Sequence, residues 1–410
     1  MRLFRLSPVY PVADTLYSLE DFVPPKVDAD YLQSLGVRIV PTPETLAALS
    51  EGSRIFARRL AGHTLLPLRQ CRVEAFDPDA VQPEIHNYTG HCPTLTYEIN
   101  PVRGCGVGCQ YCLVTDGNHE QPLVVDENYP LYVRRLLDRQ NGAGSENRDH
   151  YYYFSPKTEA LQEATLQTGV AHRILREFAD HFRRNPTSRA RLFIASKAGA
   201  EHLRITDRGE SVLDLFAALR DRMQFNTSVS IMPPALRALL EPGAAPIEER
   251  LKAVQLCRER GIQANSALVQ PIFTPFLTDE HIRTFFDALH AAGICNYKPE
   301  FLTVCPENLA MLGPLLGRFD RNMERQLYED YLLPSNADHR KQRGRTAPDR
   351  SCSRAHLQRM IQYTDTLGMS ISICYWVRKQ LGITEEEIPL INRNGFQCLG
   401  YQSRLFSDVQ

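Results

Sequence analysis

Cys105-Gly106-Val107-Gly108-Cys109-Gln110-Tyr111-Cys112 sets three cysteines, spaced x3 and x2, in a glycine-rich loop behind the strand-like run 94–100. Three thiolates on one short loop can each hold one iron of a 4Fe-4S cluster, which leaves the fourth iron without a protein ligand. That iron is open to a cofactor or substrate. Gly104, Gly106 and Gly108 let the backbone turn sharply, including through positive φ, and leave room beside the main chain. A three-cysteine iron-sulfur site is therefore the reading of this stretch.

Other chemistries use cysteine differently. A zinc site would need a fourth ligand at suitable spacing, and the chain has a single Cys-x2-Cys with no second pair to complete a ribbon. A thioredoxin-like redox pair would employ Cys109 and Cys112 and leave Cys105 unexplained. A bacterial ferredoxin run continues to a fourth cysteine followed by proline, and the next cysteine here is Cys257. A non-catalytic iron-sulfur or zinc-binding module stays open as an alternative from another class.

At 410 residues, 43% hydrophobic and 23% charged, the chain can bury a sizeable core, as one large α/β domain with appendages or as two domains. A net charge of −1 and a pI near 6.9 advertise no polyanionic partner, so nucleic acid is not favoured. Eleven cysteines, an odd number in a long chain, do not suit a disulfide scaffold. The start, Met1-Arg2-Leu3-Phe4-Arg5, leads into Ser7, Pro8 and Pro11 rather than an apolar signal core, and no run of 18 apolar residues occurs. These features predict a cytoplasmic protein with no membrane partner.

Residues 1–93 are rich in proline (Pro8, Pro11, Pro24, Pro25, Pro41, Pro43), with a short helical stretch at 43–49, and read as an N-terminal extension wrapping the outside or base of the main domain. Cys71 and Cys92 in it read as packing residues. From residue 94 strands alternate with amphipathic segments, which predicts parallel βα units. The strand candidates are 94–100, 150–154, 189–195, 225–231, 264–271 and 300–304; the helical ones are 131–137, 161–182, 212–220, 247–259 and 279–291. Six such repeats over 94–305 fall short of an eight-stranded barrel. Residues 306–410 form a C-terminal region: helical over 306–333, then a polar stretch to Arg354 that carries Arg340, Lys341, Arg343, Arg345 and Arg350, a helix 353–367 and a strand-like 370–376. The arginine run reads as a solvated loop, or as a clamp on an acidic substrate group.

The cysteine spacing, with aromatic Tyr111 before the third cysteine, resembles the signature of the radical S-adenosylmethionine (SAM) enzymes. Asn100-Pro101-Val102-Arg103-Gly104-Cys105, Ser155-Pro156-Lys157-Thr158-Glu159-Ala160, Ser230, Glu241-Pro242 and Glu249-Arg250-Leu251 are similar to the spore photoproduct lyase-like branch. The resemblance covers about residues 94–305. It implies a partial (β/α)6 TIM-type barrel, a 4Fe-4S cluster on Cys105, Cys109 and Cys112, and SAM on the open iron. One electron, from a donor such as flavodoxin or ferredoxin, would cleave SAM to a 5'-deoxyadenosyl radical that takes hydrogen from the substrate.

In such a barrel catalytic groups gather at the C-terminal ends of strands, where Ser155, Lys157, Glu159, Ser196, Lys197 and Ser230 fall. SAM brings an α-carboxylate and an α-amino group, whose natural partners are an ammonium and a hydroxyl or carboxylate. The resemblance implies Lys197 with Ser230 for the carboxylate, the 155–159 turn near the amino group or ribose, and Tyr111 beside the cofactor; each could equally be an ordinary polar strand end. The lyase itself uses a hydrogen-donating cysteine between the cluster loop and the middle of the barrel. Here no cysteine lies between Cys112 and Cys257. Candidate donors are Cys305, expected to terminate the last strand, then Cys374 and Cys398. The expectation is a lyase or isomerase acting on a small polar, sugar or aminosugar metabolite, by epimerisation or dehydration in natural-product assembly; a nucleic-acid lesion lyase is the alternative.

Overall fold

The computed structural model describes residues 2–10, 22–61, 70–85, 96–112, 123–140, 150–333 and 346–391. Its strands in chain order are β1 (Arg2–Arg5), β2 (Gln70–Glu74), β3 (Glu84–Ile85), β4 (Thr96–Ile99), β5 (Val102–Arg103), β6 (Leu123–Asp126), β7 (His150–Phe154), β8 (Ala190–Ser196), β9 (Thr206–Asp207), β10 (Glu210–Ser211), β11 (Met223–Val229), β12 (Gln263–Ile272), β13 (Asn296–Phe301) and β14 (Ser370–Ile371).

The main sheet runs β14-β13-β12-β11-β8-β7-β4-β3. Seven of its strands, β4 to β14 in that order, are parallel and follow the chain without a reversal; β3 closes one edge antiparallel, with Glu84 opposite Glu98. A sheet wound in one direction, with a helix after most strands, is the arrangement of a (β/α) barrel rather than of a doubly wound fold. The expectation of six strands is corrected to seven. The additional strand is β14, which pairs with β13 through only Ser370 and Ile371, after which the chain turns into the helix Tyr375–Leu381. The expected strand 300–304 lies earlier, as Asn296–Phe301.

Alternation along the strands separates two faces. Outward residues such as Tyr152, Phe154, Leu192, Ile194, Phe225, Val229, Tyr297 and Phe301 join one core with the covering helices. Helix Val170–Arg184 supplies Val170, Ile174, Leu175 and Phe178 at helical spacing, each fully buried. Deleting such a side chain costs about 3–5 kcal/mol for a phenylalanine. The inner face is different. Tyr151, Tyr153, Phe193 and Leu268 make a small apolar cluster there, and the positions on β11, β13 and β14 are polar.

The N-terminal segment builds more than a wrapping. β1 and β2 join β6 and β5 in a second sheet, and β2 runs parallel to β6 with Cys71 opposite Leu123. Helix Pro43–Ala61, much longer than its expected 43–49, packs on helix Pro306–Gly317; a Cβ at Gly52 would stand 2.5 Å from Glu307 Cα, so glycine sets that approach. Among the described residues no helix is long and apolar enough to cross a membrane.

Candidate functional site

The cysteine loop starts from β5, which is pinned antiparallel to β6 by Val102 opposite Val125 and Arg103 opposite Val124. Gly104 (φ 88°) and Gly108 (φ 65°) take left-handed conformations that a side chain would strain. Three backbone bonds then dock the loop against two strand ends. Gly106 N donates to Gln162 Oε1 at 2.8 Å, Gln110 N to Leu240 O at 2.9 Å, and Gly243 N to Val107 O at 2.9 Å. Gln162 follows β7 and the 240–243 stretch follows β11, so the loop lies at the C-terminal ends of the parallel strands, where barrel chemistry gathers.

Cys105, Cys109 and Cys112 are half-buried and carry no disulfide. Burial pushes the Cys105 thiol up to about 12. Cys109 also goes up through burial, while the Lys197 ammonium pulls against that rise. Among the described residues no three His, Cys, Asp or Glu side chains converge to hold one metal ion.

Behind the loop lies a buried charge network. Tyr111, 7% exposed, donates its hydroxyl to Glu241 Oε1 and sets its ring edge-on to Phe273. Glu241 Oε2 accepts from Arg250, whose remaining nitrogens donate to Ala245 O at 2.7 Å and Ser228 O at 2.9 Å. Ser230 Oγ lies 3.3 Å from Glu241 Oε1 and 3.2 Å from Gln270 O, two acceptors that share its single proton. Lys197 Nζ sits 3.8 Å from the same carboxylate and donates to Ser228 Oγ at 2.9 Å. Burial alone would raise the Glu241 carboxyl; Arg250, Lys197 and the Tyr111 hydroxyl outweigh it and hold the group at about 2. The fully buried pair is thus ionised and hydrogen-bonded on every side, the condition under which such a pair persists.

The remaining expected cofactor residues divide in two. Glu159 accepts from Ser196 Oγ at 2.5 Å, Lys197 N at 2.7 Å and Leu161 N at 3.0 Å, and Ser196 Oγ also accepts from Ala198 N at 2.9 Å. Those bonds brace the turn after β7 to the end of β8. Lys157 Nζ pairs with Glu84 at 2.6 Å and Glu98 at 2.9 Å, tying the edge strand β3 to β4. Ser155 stands apart: its φ is 53°, it is 2% exposed, and its Oγ has no hydrogen-bond partner among the described residues. A strained residue with an orphaned hydroxyl at a strand end is a position prepared for something else.

Of the expected hydrogen donors, Cys305 does not terminate a strand. β13 ends at Phe301, and Cys305 occupies the N-cap of helix Pro306–Gly317, just after Val304 bridges to Thr346. Cys374 follows β14 and packs toward the helix-side core. Cys398 and Cys92 lie outside the described residues, as do Arg340, Lys341, Arg343 and Arg345; Arg354, from the same run, donates to Leu381 O, Gly382 O and Glu387.

The expectations named Glu241 and Arg250 only as part of a pattern and gave them no role. The signal was available: Arg250, Ala253, Val254 and Cys257 form the buried stripe of helix Ile247–Glu259, and an arginine in an apolar stripe needs a buried carboxylate.

The described residues therefore define an α/β protein with a singly wound parallel sheet and a three-cysteine loop at its strand ends. No family model and no curated protein matches the chain. Among solved structures it is similar to methylornithine synthase (PylB), at 9% identity, covering 86% of this chain and 95% of that one with a TM-score of 0.33.

Proposed function

We propose that the chain is a radical SAM enzyme of lyase or isomerase type that acts on a small polar metabolite, a sugar or aminosugar, by epimerisation or dehydration in natural-product assembly. The supporting observation is the three-thiol loop, turned by two left-handed glycines and docked at the C-terminal mouth of a singly wound parallel sheet. When bound, the 4Fe-4S cluster and SAM supply a radical that removes a hydrogen atom from the substrate.

In this reading Cys105, Cys109 and Cys112 bind as thiolates, and Lys197 offsets the negative charge that gathers at Cys109. Lys197 and Ser230 are the pair proposed for the cofactor's carboxylate, Ser230 by turning its hydroxyl from Glu241 and Gln270, and the Ser155 hydroxyl, without a partner among the described residues, would meet its amino group or ribose. Tyr111 stands between loop and network and fixes the third cysteine. Lys157, Glu159 and Ser196 support the pocket walls through the bonds they already make. Cys305, at the N-cap of helix Pro306–Gly317 instead of at a strand end, is the proposed donor: its S–H hydrogen would pass to the substrate carbon in an epimerisation, and one electron with one proton would restore the thiol. A flavodoxin or ferredoxin in the cytoplasm supplies the electrons. Residues 94–305 carry the chemistry on six of the barrel strands, 1–93 extend them, and 306–410 supply the seventh strand, β14, and cover the barrel mouth.

Release of 5'-deoxyadenosine stimulated by aminosugar or nucleoside pools, and not by irradiated DNA, is the expected result. Stimulation by irradiated DNA alone, with salt-sensitive DNA binding, would replace the metabolite by a nucleic-acid lesion.

A further inference from the structure

Residues 6–10 leave β1 and cross the rim of the strand ends. Among the described residues they make no backbone-to-backbone hydrogen bond; side chains hold them instead. Ser7 N donates to Gln167 Oε1 at 3.1 Å, Gln167 Nε2 to Ser7 O at 2.5 Å, and Val9 N to Glu163 Oε1 at 3.2 Å, all on helix Glu163–Gln167 after β7. The Tyr10 hydroxyl then accepts from Glu201 N at 2.9 Å, on helix Ala200–Arg204 after β8, and donates to Glu249 Oε2 at 3.1 Å, on helix Ile247–Glu259 after β11. β7, β8 and β11 are neighbours in the main sheet, so this strap joins three adjacent βα units where barrel chemistry gathers. The seat for the ring is built in. A Cβ at Gly199 would overlap the Tyr10 hydroxyl, stand 2.7 Å from Tyr10 Cζ and 2.9 Å from Ala245 Cβ. His202 flanks the ring at 5.2 Å between centroids, and its Nδ1 accepts from Gly199 N at 3.2 Å.

The elements that Tyr10 joins are the two that carry the cations of the buried network. Gly199 lies two residues beyond Lys197, whose carbonyl accepts from Ala245 N at 3.3 Å. Glu249 precedes Arg250, whose Nε donates to Ala245 O at 2.7 Å. Ala245 thus ties the Lys197 turn to the Arg250 helix once, and Tyr10 ties the same elements a second time. Lys197 and Arg250 both face Glu241, so the spacing of turn and helix sets the geometry behind the cysteine loop. A strap held by side chains alone belongs to the low end of local stability, and it can open without unfolding the barrel.

We propose that residues 6–10 are a latch and Tyr10 a positioning residue: docked, they hold the Lys197 turn against helix Ile247–Glu259 and place the Lys197 ammonium for the cofactor's carboxylate. This rests on the reading of Lys197 as a ligand of that carboxylate. Hydrogen exchange on the full, cluster-free chain tests the latch without cofactor. Tyr10→Phe keeps the ring and removes both hydroxyl bonds, so the amides of 198–202 and of Ala245 are expected to exchange about ten-fold faster, the scale of one hydrogen bond to a charged group. The amides of β11 and β12 keep the parent's protection. Glu249→Ala is expected to act as Tyr10→Phe does, Glu249→Gln, which still accepts from the phenol, to keep the parent's rates, and the Tyr10→Phe, Glu249→Ala double variant to exchange no faster than either alone. Unchanged exchange in Tyr10→Phe, summed acceleration in the double variant, or equal acceleration in β11 and β12 overturns the proposal. In the reconstituted chain Tyr10→Phe is expected to weaken SAM several-fold, and to cost nothing further in a Lys197→Met background. An equal loss in both backgrounds overturns the positioning role. A parent that binds no SAM overturns the enzyme reading instead, and the exchange rates still decide the latch.

Discussion

Tyr111, inside the cysteine loop, donates its hydroxyl to Glu241, 130 positions further along the chain. The bond couples the cysteine loop to the carboxylate that Arg250 pairs with, so loop position and core electrostatics are one arrangement. Tyr111→Phe removes a hydrogen bond to a buried charge and is expected to cost about 1.5–3 kcal/mol. Urea denaturation measures that loss, and iron retention after reconstitution is expected to fall with it.

Glu241 also sets an acid response. Its folded value of about 2 lies below its ordinary 4.5, so the stability it contributes is complete above pH 4.5 and is lost as pH falls from there through 2. Arg250→Met leaves the carboxylate buried without its main cation, with an expected cost of about 3–5 kcal/mol at neutral pH. Denaturation curves at pH 7 and pH 3 should show the gap between parent and variant narrowing in acid.

His356 works in a different window. Burial, helped by Arg359, lowers its imidazole from 6.5 to about 4. The unfolded chain therefore binds the additional proton between those values, and stability rises with pH from 4 to 6.5 and is level above. His356→Gln is expected to flatten that part of the pH–stability profile.

Gly243 is a packing requirement of the loop. A Cβ there would lie 2.8 Å from Gly106 O, Val107 Cα and Val107 O, all backbone atoms that can move only with the loop. Gly243→Ala is expected to cost about 1–3 kcal/mol by overpacking. Bound iron per chain should drop, while far-ultraviolet circular dichroism stays at the parent's.

Ser155 separates a ligand contact from a structural one. Its hydroxyl makes no bond among the described residues, so Ser155→Ala is expected to leave thermal stability unchanged or slightly higher. SAM affinity is expected to weaken about ten-fold, the worth of one hydrogen bond to a charged group. A large loss of stability with unchanged SAM affinity would assign the residue to the fold alone.

Much of the barrel was legible because its strands are short aromatic or β-branched runs bounded by turns. Residues 150–154 coincide with β7, and 247–259 and 279–291 with helices Ile247–Glu259 and Asp279–Ala291, which Pro246 and Thr278 begin. The strand-like 370–376 shortens to the two residues of β14, because the apolar pattern of 372–376 passes into helix Tyr375–Leu381. The cysteine loop announced itself through spacing. Its supports did not: Tyr111 to Glu241 and Glu241 to Arg250 are tertiary pairings, and a single sequence shows which charges exist but not which meet. Lys157 and Glu159 read as ligand groups from their strand-end position, whereas neighbours on β3, β4 and β8 already engage them.

The central claim is that Cys105, Cys109 and Cys112 hold a cluster that cleaves SAM. Anaerobic reconstitution with iron and sulfide, reduction with dithionite and mass spectrometry after addition of SAM test it in one experiment. The account expects about four irons per chain, as one 4Fe-4S cluster requires, with 5'-deoxyadenosine released by the parent and none by Cys105→Ala. No release from the parent under any condition, with Cys105→Ala indistinguishable from it in iron content, would contradict the claim.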